Sequence, residues 1–308
     1  MKIYEYGKDR LPKAKRAVAL GFFDGVHLGH RKIIGDTVAS AKRNSLTSAV
    51  FTFFGERGGF KPSAPRIYST EEKLGIFRTL GVDEVIIADF SKISHISAED
   101  FARELLAGEL SAREAHLGYN YRFGRGGTAG ADELEALLRS VGARAYIAPE
   151  YKFHGMPLSS TEIRRALAAG DIRLAGEMLG APYRLRGKIE HGRGLGHSLG
   201  YPTVNTELSH DCPLRHGVYR TAVEISGRRL LGVTNIGVCP TVGEREMHAE
   251  THIIDFSGEL YGEECTVFFL DFLRDEIKFS SEAELSERIR LDVEAAKESG
   301  LCQDFGQN

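Results

Sequence analysis

Gly21-Phe22-Phe23-Asp24-Gly25-Val26-His27-Leu28-Gly29-His30 decides how the first half of this chain is read. Ahead of it, Ala17-Val18-Ala19-Leu20 is a short apolar run of the kind that forms a buried strand of a parallel sheet. Behind it, residues 32–42 carry apolar side chains at Ile33, Ile34, Val38 and Ala41, a helical spacing. The stretch is therefore a strand-to-helix turn, where free backbone N–H groups and the helix dipole favour a phosphate. Gly25 and Gly29 let a ligand approach the backbone closely. His27 and His30 are three apart and share one helical face, where two imidazoles can donate to charge that grows in a transition state. Surface histidines and half of a metal site are the plainer readings, but no third ligand stands at a matching spacing.

The rest of the first half repeats the strand–helix alternation. Residues 48–53, 82–88, 115–118 and 144–148 read as strands. A capping box, Ser69-Thr70-Glu71-Glu72, opens a helix to Leu80, Ser97 caps another through Leu106, and residues 132–140 form a third. The glycines and proline of residues 54–62 mark a loop. Strands alternating with helices at this spacing predict an α/β domain, a Rossmann-like parallel sheet covered on both faces, whose ligands bind at the carboxyl ends of its strands.

The periodicity changes after Ala181-Pro182. Residues 183–190, 218–225, 229–236, 248–255 and 264–272 read as short strands between glycine turns, the pattern of a small closed antiparallel barrel. Ser281-Glu282-Ala283-Glu284 caps a last helix to about residue 298, with Leu285, Ile289, Val293 and Ala296 as its apolar stripe. The predicted domains are 1–182 and 183–308.

Composition narrows the classes of function. The 308 residues suffice for two cores. A net charge of −3 leaves no electrostatic footprint for nucleic acid or membrane. No apolar run approaches the roughly 20 residues of a membrane span, and the N-terminus lacks the apolar core of a signal peptide. Cys212, Cys239, Cys265 and Cys302 show no C-x-x-C pairing, so neither a zinc ribbon nor a disulfide framework is indicated. The expectation is a cytoplasmic protein.

Four further stretches carry chemistry. Gly118-Tyr119-Asn120-Tyr121-Arg122-Phe123-Gly124 follows a strand and by itself reads as a polar loop with aromatic packing. In Leu158-Ser159-Ser160-Thr161-Glu162-Ile163-Arg164 a capped helix start places hydroxyls, open N–H groups and an arginine together, a set suited to nucleotide phosphates. Residues 192–200, with Gly192, Gly196 and Gly200 among their glycines, are a glycine-rich loop whose N–H groups can surround phosphates. The following Pro202-Thr203-Val204-Asn205 sets the neutral oxygens of Thr203 and Asn205 on one side of an extended segment, where with phosphate oxygens they complete the octahedron of Mg²⁺. Glu250 lies in a strand, where a glutamate is usually just solvated, and Arg274 lies at a strand end.

These stretches resemble, in order, the motifs of bifunctional bacterial FAD synthetases. The first is similar to the long form GxFDGVHxGH of the nucleotidyltransferase HxGH motif, and residues 118–124 to G-x-[DN]-[FY]-x-F-G. Residues 158–164 resemble ISSTxIR, and residues 192–205 the riboflavin kinase signature G-x-x-x-G-x-x-L-G-x-P-T-A-N, with Val204 for Ala. Residues 250–256 match the kinase segment E-x-H-x-x-D-F, and Phe272-Leu273-Arg274-Asp275-Glu276 the L-R-x-E segment. The chain departs from the family at Phe22, usually Asn, at Cys239, usually Arg, and after Phe53, where no Pro-His-Pro follows.

The resemblance implies an enzyme that phosphorylates riboflavin to FMN with MgATP and then transfers the adenylyl group of a second ATP to FMN, releasing pyrophosphate. It implies Glu250 as general base of the kinase and Thr203 and Asn205 as metal ligands. His27 and His30 would act at the reacting phosphate of the transferase. Gly21, Phe23, Asp24, Gly29, Ser159, Ser160, Thr161, Arg164 and Gly192, Gly196, Gly200 would bind nucleotide phosphates, and Asn120 and Arg274 the flavin. A kinase whose first domain is weakened or inactive is the alternative. A non-catalytic flavin-binding regulator and a transferase for another phosphorylated acceptor are more distant ones.

Overall fold

The computed structural model of the chain describes residues 1–53, 64–190, 200–208, 212–240 and 245–298. Its first half is built on six parallel strands, β1 (Lys2–Glu5), β2 (Arg16–Leu20), β3 (Thr47–Phe53), β4 (Glu84–Ala88), β5 (Ala112–Gly118) and β6 (Arg144–Ala148), in the order β1-β4-β3-β2-β5-β6. β2 is central and its five residues are all buried, as a strand covered on both faces requires. Val18 and Leu20 join a core with Phe101, Leu105, Leu134 and Leu138 from the helical layer on one face. Helix α1 (Leu28–Arg43) packs on β2, β3 and β5. α2 (Thr70–Thr79) and α3 (Ala131–Ser140) continue the alternation. Residues Phe101–Glu109 wind as a π-helix after the Ser97 cap, beyond the expected end at Leu106.

Two features of this half had no sequence signal. β1 is a four-residue edge strand paired only with β4, too short and too exposed to show a period. The guanidinium of the fully buried Arg16 donates to Glu84 at 2.7 Å and to the carbonyls of Leu110 (2.9 Å) and Pro12 (2.9 Å), tying the entry of β2 to β4. The ion pair joins residues 68 positions apart.

The second half closes a six-stranded antiparallel barrel from β7 (Arg184–Glu190), β8 (Thr203–Leu208), β9 (Gly217–Ile225), β10 (Arg228–Pro240), β11 (Arg245–Ile253) and β12 (Glu264–Arg274), in the order β7-β8-β11-β10-β9-β12. Five strands were expected. The sixth, β8, is the extended segment that carries Thr203 and Asn205. Along β11, Ala249, Thr251 and Ile253 are buried while Glu250 and His252 alternate with them on the other face. Part of the interior is polar: Thr221, Thr234 and Thr251 form a chain of hydroxyls at 2.8 Å spacings. β7 and β8 approach so closely that a Cβ on Gly187 would overlap the Glu207 carbonyl.

Packing and periodicity divide the chain at different places. The compact units are Met1–Ala64 with Thr70–Ser159, and Pro65–Ser69 with Ser160–Asn308. The helices α4 (Ser160–Ala169) and α5 (Ile172–Leu179) thus belong by contact to the barrel unit, although residue 182 marks the change of pattern. The Arg215 amide donates to the Leu167 carbonyl at 3.1 Å, α5 packs on β12, and the Tyr183 hydroxyl donates to the Ile67 carbonyl at 3.0 Å. A terminal helix, α6 (Glu282–Glu298), lies on the barrel through Ala296 and Val293, with the Arg220 guanidinium on the Ala296 carbonyl.

Candidate active sites

In the parallel-sheet unit the chain turns sharply between the end of β2 and the start of α1. Phe23 (φ 51°), Gly25 (φ 78°) and Val26 (φ 41°) all take left-handed conformations. Two of these three are not glycine, and Val26 is β-branched, so the turn stores strain that its surroundings must hold. Phe23, Asp24, Val26 and His27 are buried. Gly29 is needed for space: a Cβ there would press on Tyr151 at 3.1 Å and on the His27 ring at 3.2 Å.

α1 starts four residues earlier than its apolar spacing suggested, because His27 is its N-cap. The His30 N–H donates to His27 Nδ1 at 3.4 Å. An accepting Nδ1 places the ring proton of neutral His27 on Nε2. The two imidazoles stack with centroids 3.7 Å apart, inclined by 19°. Burial pushes His27 down to about 4. His30 falls well below the usual histidine value, through burial first and then the charges of His27 and Lys73. Both rings are therefore neutral at pH 7. His30 Nδ1 is buried with no hydrogen-bond partner among the described residues. An orphaned ring nitrogen beside a helix N-terminus is a place prepared for a ligand atom.

Lys73 on α2 was not singled out by sequence. Its side chain is buried, its Nζ donates to the Phe22 carbonyl at 3.2 Å, and it lies 4.4 Å above the Phe22 ring. The readable signal was its position four residues before Phe77, a cation on the apolar face of a helix. Asn120, expected at the flavin, is exposed in the segment after β5, with Oδ1 close to Gly118.

Ser159, Ser160, Thr161 and Arg164 stand at the start of α4. Thr161 is exposed, the other three are half-buried, and Arg164 Nε donates to the Pro65 carbonyl at 2.8 Å. Ile163 and Leu167 anchor the helix from its buried side.

The barrel gathers a second group. Asn205 on β8 lies directly opposite Glu250 on β11, and Thr203 opposite His252. The Thr203 hydroxyl donates to Glu250 Oε1 at 2.8 Å. All three side chains are half-buried and lie on the face that does not line the interior. On the other flank, Asn235 of β10 also pairs with Glu250, which sets a carboxylate between two amides. Asn235 was not singled out by sequence; alternation with buried Thr234 and Ile236 is what marks it as facing Glu250. The Glu276 carboxylate fills the space that a Cβ on Gly237 would need, close to the Asn235 amide.

The remaining expected residues divide in two. Gly200 (φ 82°) is a turn glycine before β8, whereas Gly192, Gly196 and the loop after Phe53 lie outside the described residues. Arg274 is engaged within the fold: it makes a two-pronged ion pair with buried Asp292 of α6 (2.7 Å and 3.1 Å) and donates to the Asp275 carbonyl at 2.9 Å. Its donors hold the terminal helix. Among the described residues no group of three or more His, Cys, Asp or Glu forms a metal cluster, and no helix is long and apolar enough to cross a membrane.

Comparison with known proteins covers both halves. The FAD synthetase family profile matches residues 10–162 and the riboflavin kinase profile residues 179–299. The chain is 35% identical over 291 residues to the bifunctional riboflavin kinase/FMN adenylyltransferase of Pseudomonas fluorescens, covering 93% of this chain and 94% of that one. It is 32% identical over 295 residues to the protein of that description from Bacillus subtilis, covering 92% of each. A solved structure titled as a macrolide-efflux protein from Streptococcus pneumoniae superposes with a TM-score of 0.84 at 29% identity, over 96% of this chain and 98% of that one.

Proposed function

The chain belongs to the bifunctional riboflavin kinase/FMN adenylyltransferase family, and from that premise we propose how its residues divide the two reactions. It phosphorylates riboflavin to FMN and transfers an adenylyl group from ATP to FMN, giving FAD and pyrophosphate. We assign the second reaction to residues 1–182 and the first to residues 183–308, in line with the two family matches.

For adenylyl transfer, a phosphate oxygen of FMN attacks the α-phosphorus of ATP and the bond to pyrophosphate breaks. No protein nucleophile is required, so the residues position reactants and stabilise charge. His27, with its proton on Nε2, and His30, with its orphaned Nδ1, donate to the oxygens of the reacting phosphate. Gly21, Phe23, Asp24 and Gly29 shape the turn beneath it. Ser159, Ser160, Thr161 and Arg164 take the leaving pyrophosphate, and Asn120 contacts the flavin.

For the kinase, the terminal ribityl hydroxyl attacks the γ-phosphorus of ATP and ADP leaves. Glu250 accepts the hydroxyl proton, oriented by the Thr203 hydroxyl. Both family activities use ATP with a divalent metal ion, and we take it to be Mg²⁺. The hard, neutral oxygens of Thr203 and Asn205 beside a carboxylate fit that ion. When bound, it supplies charge neutralisation on the transferred phosphoryl group. Gly192, Gly196 and Gly200 are assigned to the phosphates. Arg274 is assigned to holding α6, since each of its three nitrogens already donates within the fold. The buried, reduced thiols of Cys212 and Cys265 suit a reducing cytoplasm.

The observation that supports this division is that each unit gathers its own polar cluster: stacked neutral imidazoles in one, Glu250 with Thr203 and Asn205 in the other. Incubation with riboflavin, ATP and Mg²⁺, followed over time, should show FMN rising first and FAD after it. Accumulation of FMN with no FAD would remove the transferase assignment, and unchanged riboflavin would remove both.

A further inference from the structure

Lysine is almost never fully buried unless something in the fold requires it, and taking its charge out of water is costly. Lys73 leaves 1% of its surface to solvent. Its surroundings explain what requires it. The Phe22 carbonyl, which opens the strained turn, accepts from Lys73 Nζ at 3.2 Å and from the Thr52 hydroxyl at 3.3 Å. Those donors come from α2 and β3, so the carbonyl is pinned from two elements. The Phe22 ring lies under the same ammonium. One turn further along α2, Phe77 meets the Phe23 ring edge-on at 6.1 Å, and Phe23 meets His30 edge-on at 5.3 Å. A single helix face thus grips the two residues that precede Asp24.

We infer that Lys73 is a positioning residue of the adenylyl-transfer site: its ammonium holds the Phe22 carbonyl and so fixes the turn that presents His27 and His30. The inference rests on the adenylyltransferase reading of that turn. The physical reason is strain. Phe23 and Val26 sit in left-handed backbone that side chains avoid, and such a turn persists only if neighbours over-determine it. A charged donor holds a carbonyl about twice as strongly as a neutral one. The charge has a second effect. The groups acting on His30 are His27 on its own turn and Lys73 on α2, and both disfavour an imidazolium there. His30 therefore stays neutral, and a fixed positive charge remains near the place where phosphate charge develops.

Lys73→Met tests this, because methionine keeps much of the length and removes both donor and charge. FAD formation from FMN and ATP should fall about 100-fold in kcat, the lower end for loss of one preorganised donor, with KM values little changed. FMN formation from riboflavin by the same protein should stay within about twofold, and serves as an internal check that the chain is folded. His30, followed by NMR, should titrate at higher pH than in the parent. Adenylyl transfer within about threefold of the parent would overturn the inference, as would parallel loss of both activities in soluble, folded protein. Should Lys73→Met not fold, Lys73→Gln, which keeps a donor without the charge, is read against the same limits. If the unaltered protein makes no FAD, the transferase reading fails by itself, and an unshifted His30 in Lys73→Met then overturns the coupling independently.

Discussion

On the assignment proposed above, the two units handle phosphate chemistry by opposite means. In the parallel-sheet unit the acting groups are drawn inside: His27 and Lys73 are buried, two non-glycine residues are held in left-handed backbone, and desolvation keeps the imidazoles neutral. In the barrel unit Thr203, Asn205, Asn235 and Glu250 stand half-exposed on a strand face, ordered by register and a hydroxyl–carboxylate bond. A buried, strained site is preorganised and makes each donor count for more. An open strand face leaves its carboxylate within reach of an incoming hydroxyl and depends on ligands to complete it. The first should therefore be fragile to any change in packing or protonation. The second should answer mainly to changes in its own few side chains.

The largest effect expected is from the double variant His27→Ala, His30→Ala. Losing two preorganised donors, at about 100-fold or more each, should bring FAD formation down by roughly 10⁴-fold while riboflavin phosphorylation continues. Equal loss of both products in folded protein would erase the contrast between units. Glu250→Gln should do the reverse. Without a general base, FMN formation from riboflavin should drop by roughly 10²- to 10⁴-fold, and FAD formation from added FMN should persist. A kinase rate unchanged in stopped-time assays would take Glu250 out of its role.

Acid should weaken the first unit through His27. The folded value of His27, about 4, lies below its unfolded value, so the unfolded chain binds the proton more readily. Stability is then full above the unfolded value, near 6.5, and is lost as pH falls toward 4, by on the order of 3 kcal/mol from this residue alone. Urea titrations between pH 7 and pH 4 measure the slope, and it should flatten in His27→Ala. The smallest effect is sought at Thr203→Val, which removes the hydroxyl that orients Glu250 and would hold the metal. A fall of about tenfold in kinase rate, partly recovered at high Mg²⁺, sharpens the open-face description. Loss of folding instead would show that Thr203 is structural.

How far these sites were legible in the sequence follows from their geometry. The strand-to-helix turn was readable because its residues are contiguous: a buried run, glycines and two histidines within fourteen positions. The same contiguity holds for the start of α4 and the alternation along β11. Arg274 shows the limit. Its motif suggested a ligand contact, and only the approach of α6 reveals Asp292 taking its donors. Lys73 and Asn235 were missed for the converse reason: nothing local separates a lysine on a helix, or an asparagine in a strand, from a solvated one.

What the sequence by itself determined is the succession of elements and the chemical alphabet of each site, since periodicity, capping and turn residues act over a few positions. It supplied the parallel sheet, the barrel and the imidazole pair. Only the tertiary structure decided which of those groups lose water and which meet. Burial lowers the histidines, Lys73 reaches the Phe22 carbonyl across 51 residues, and the closing of the barrel sets Glu250 between Asn205 and Asn235. Desolvation and long-range register are properties of the packed chain, and no window of neighbouring residues contains them.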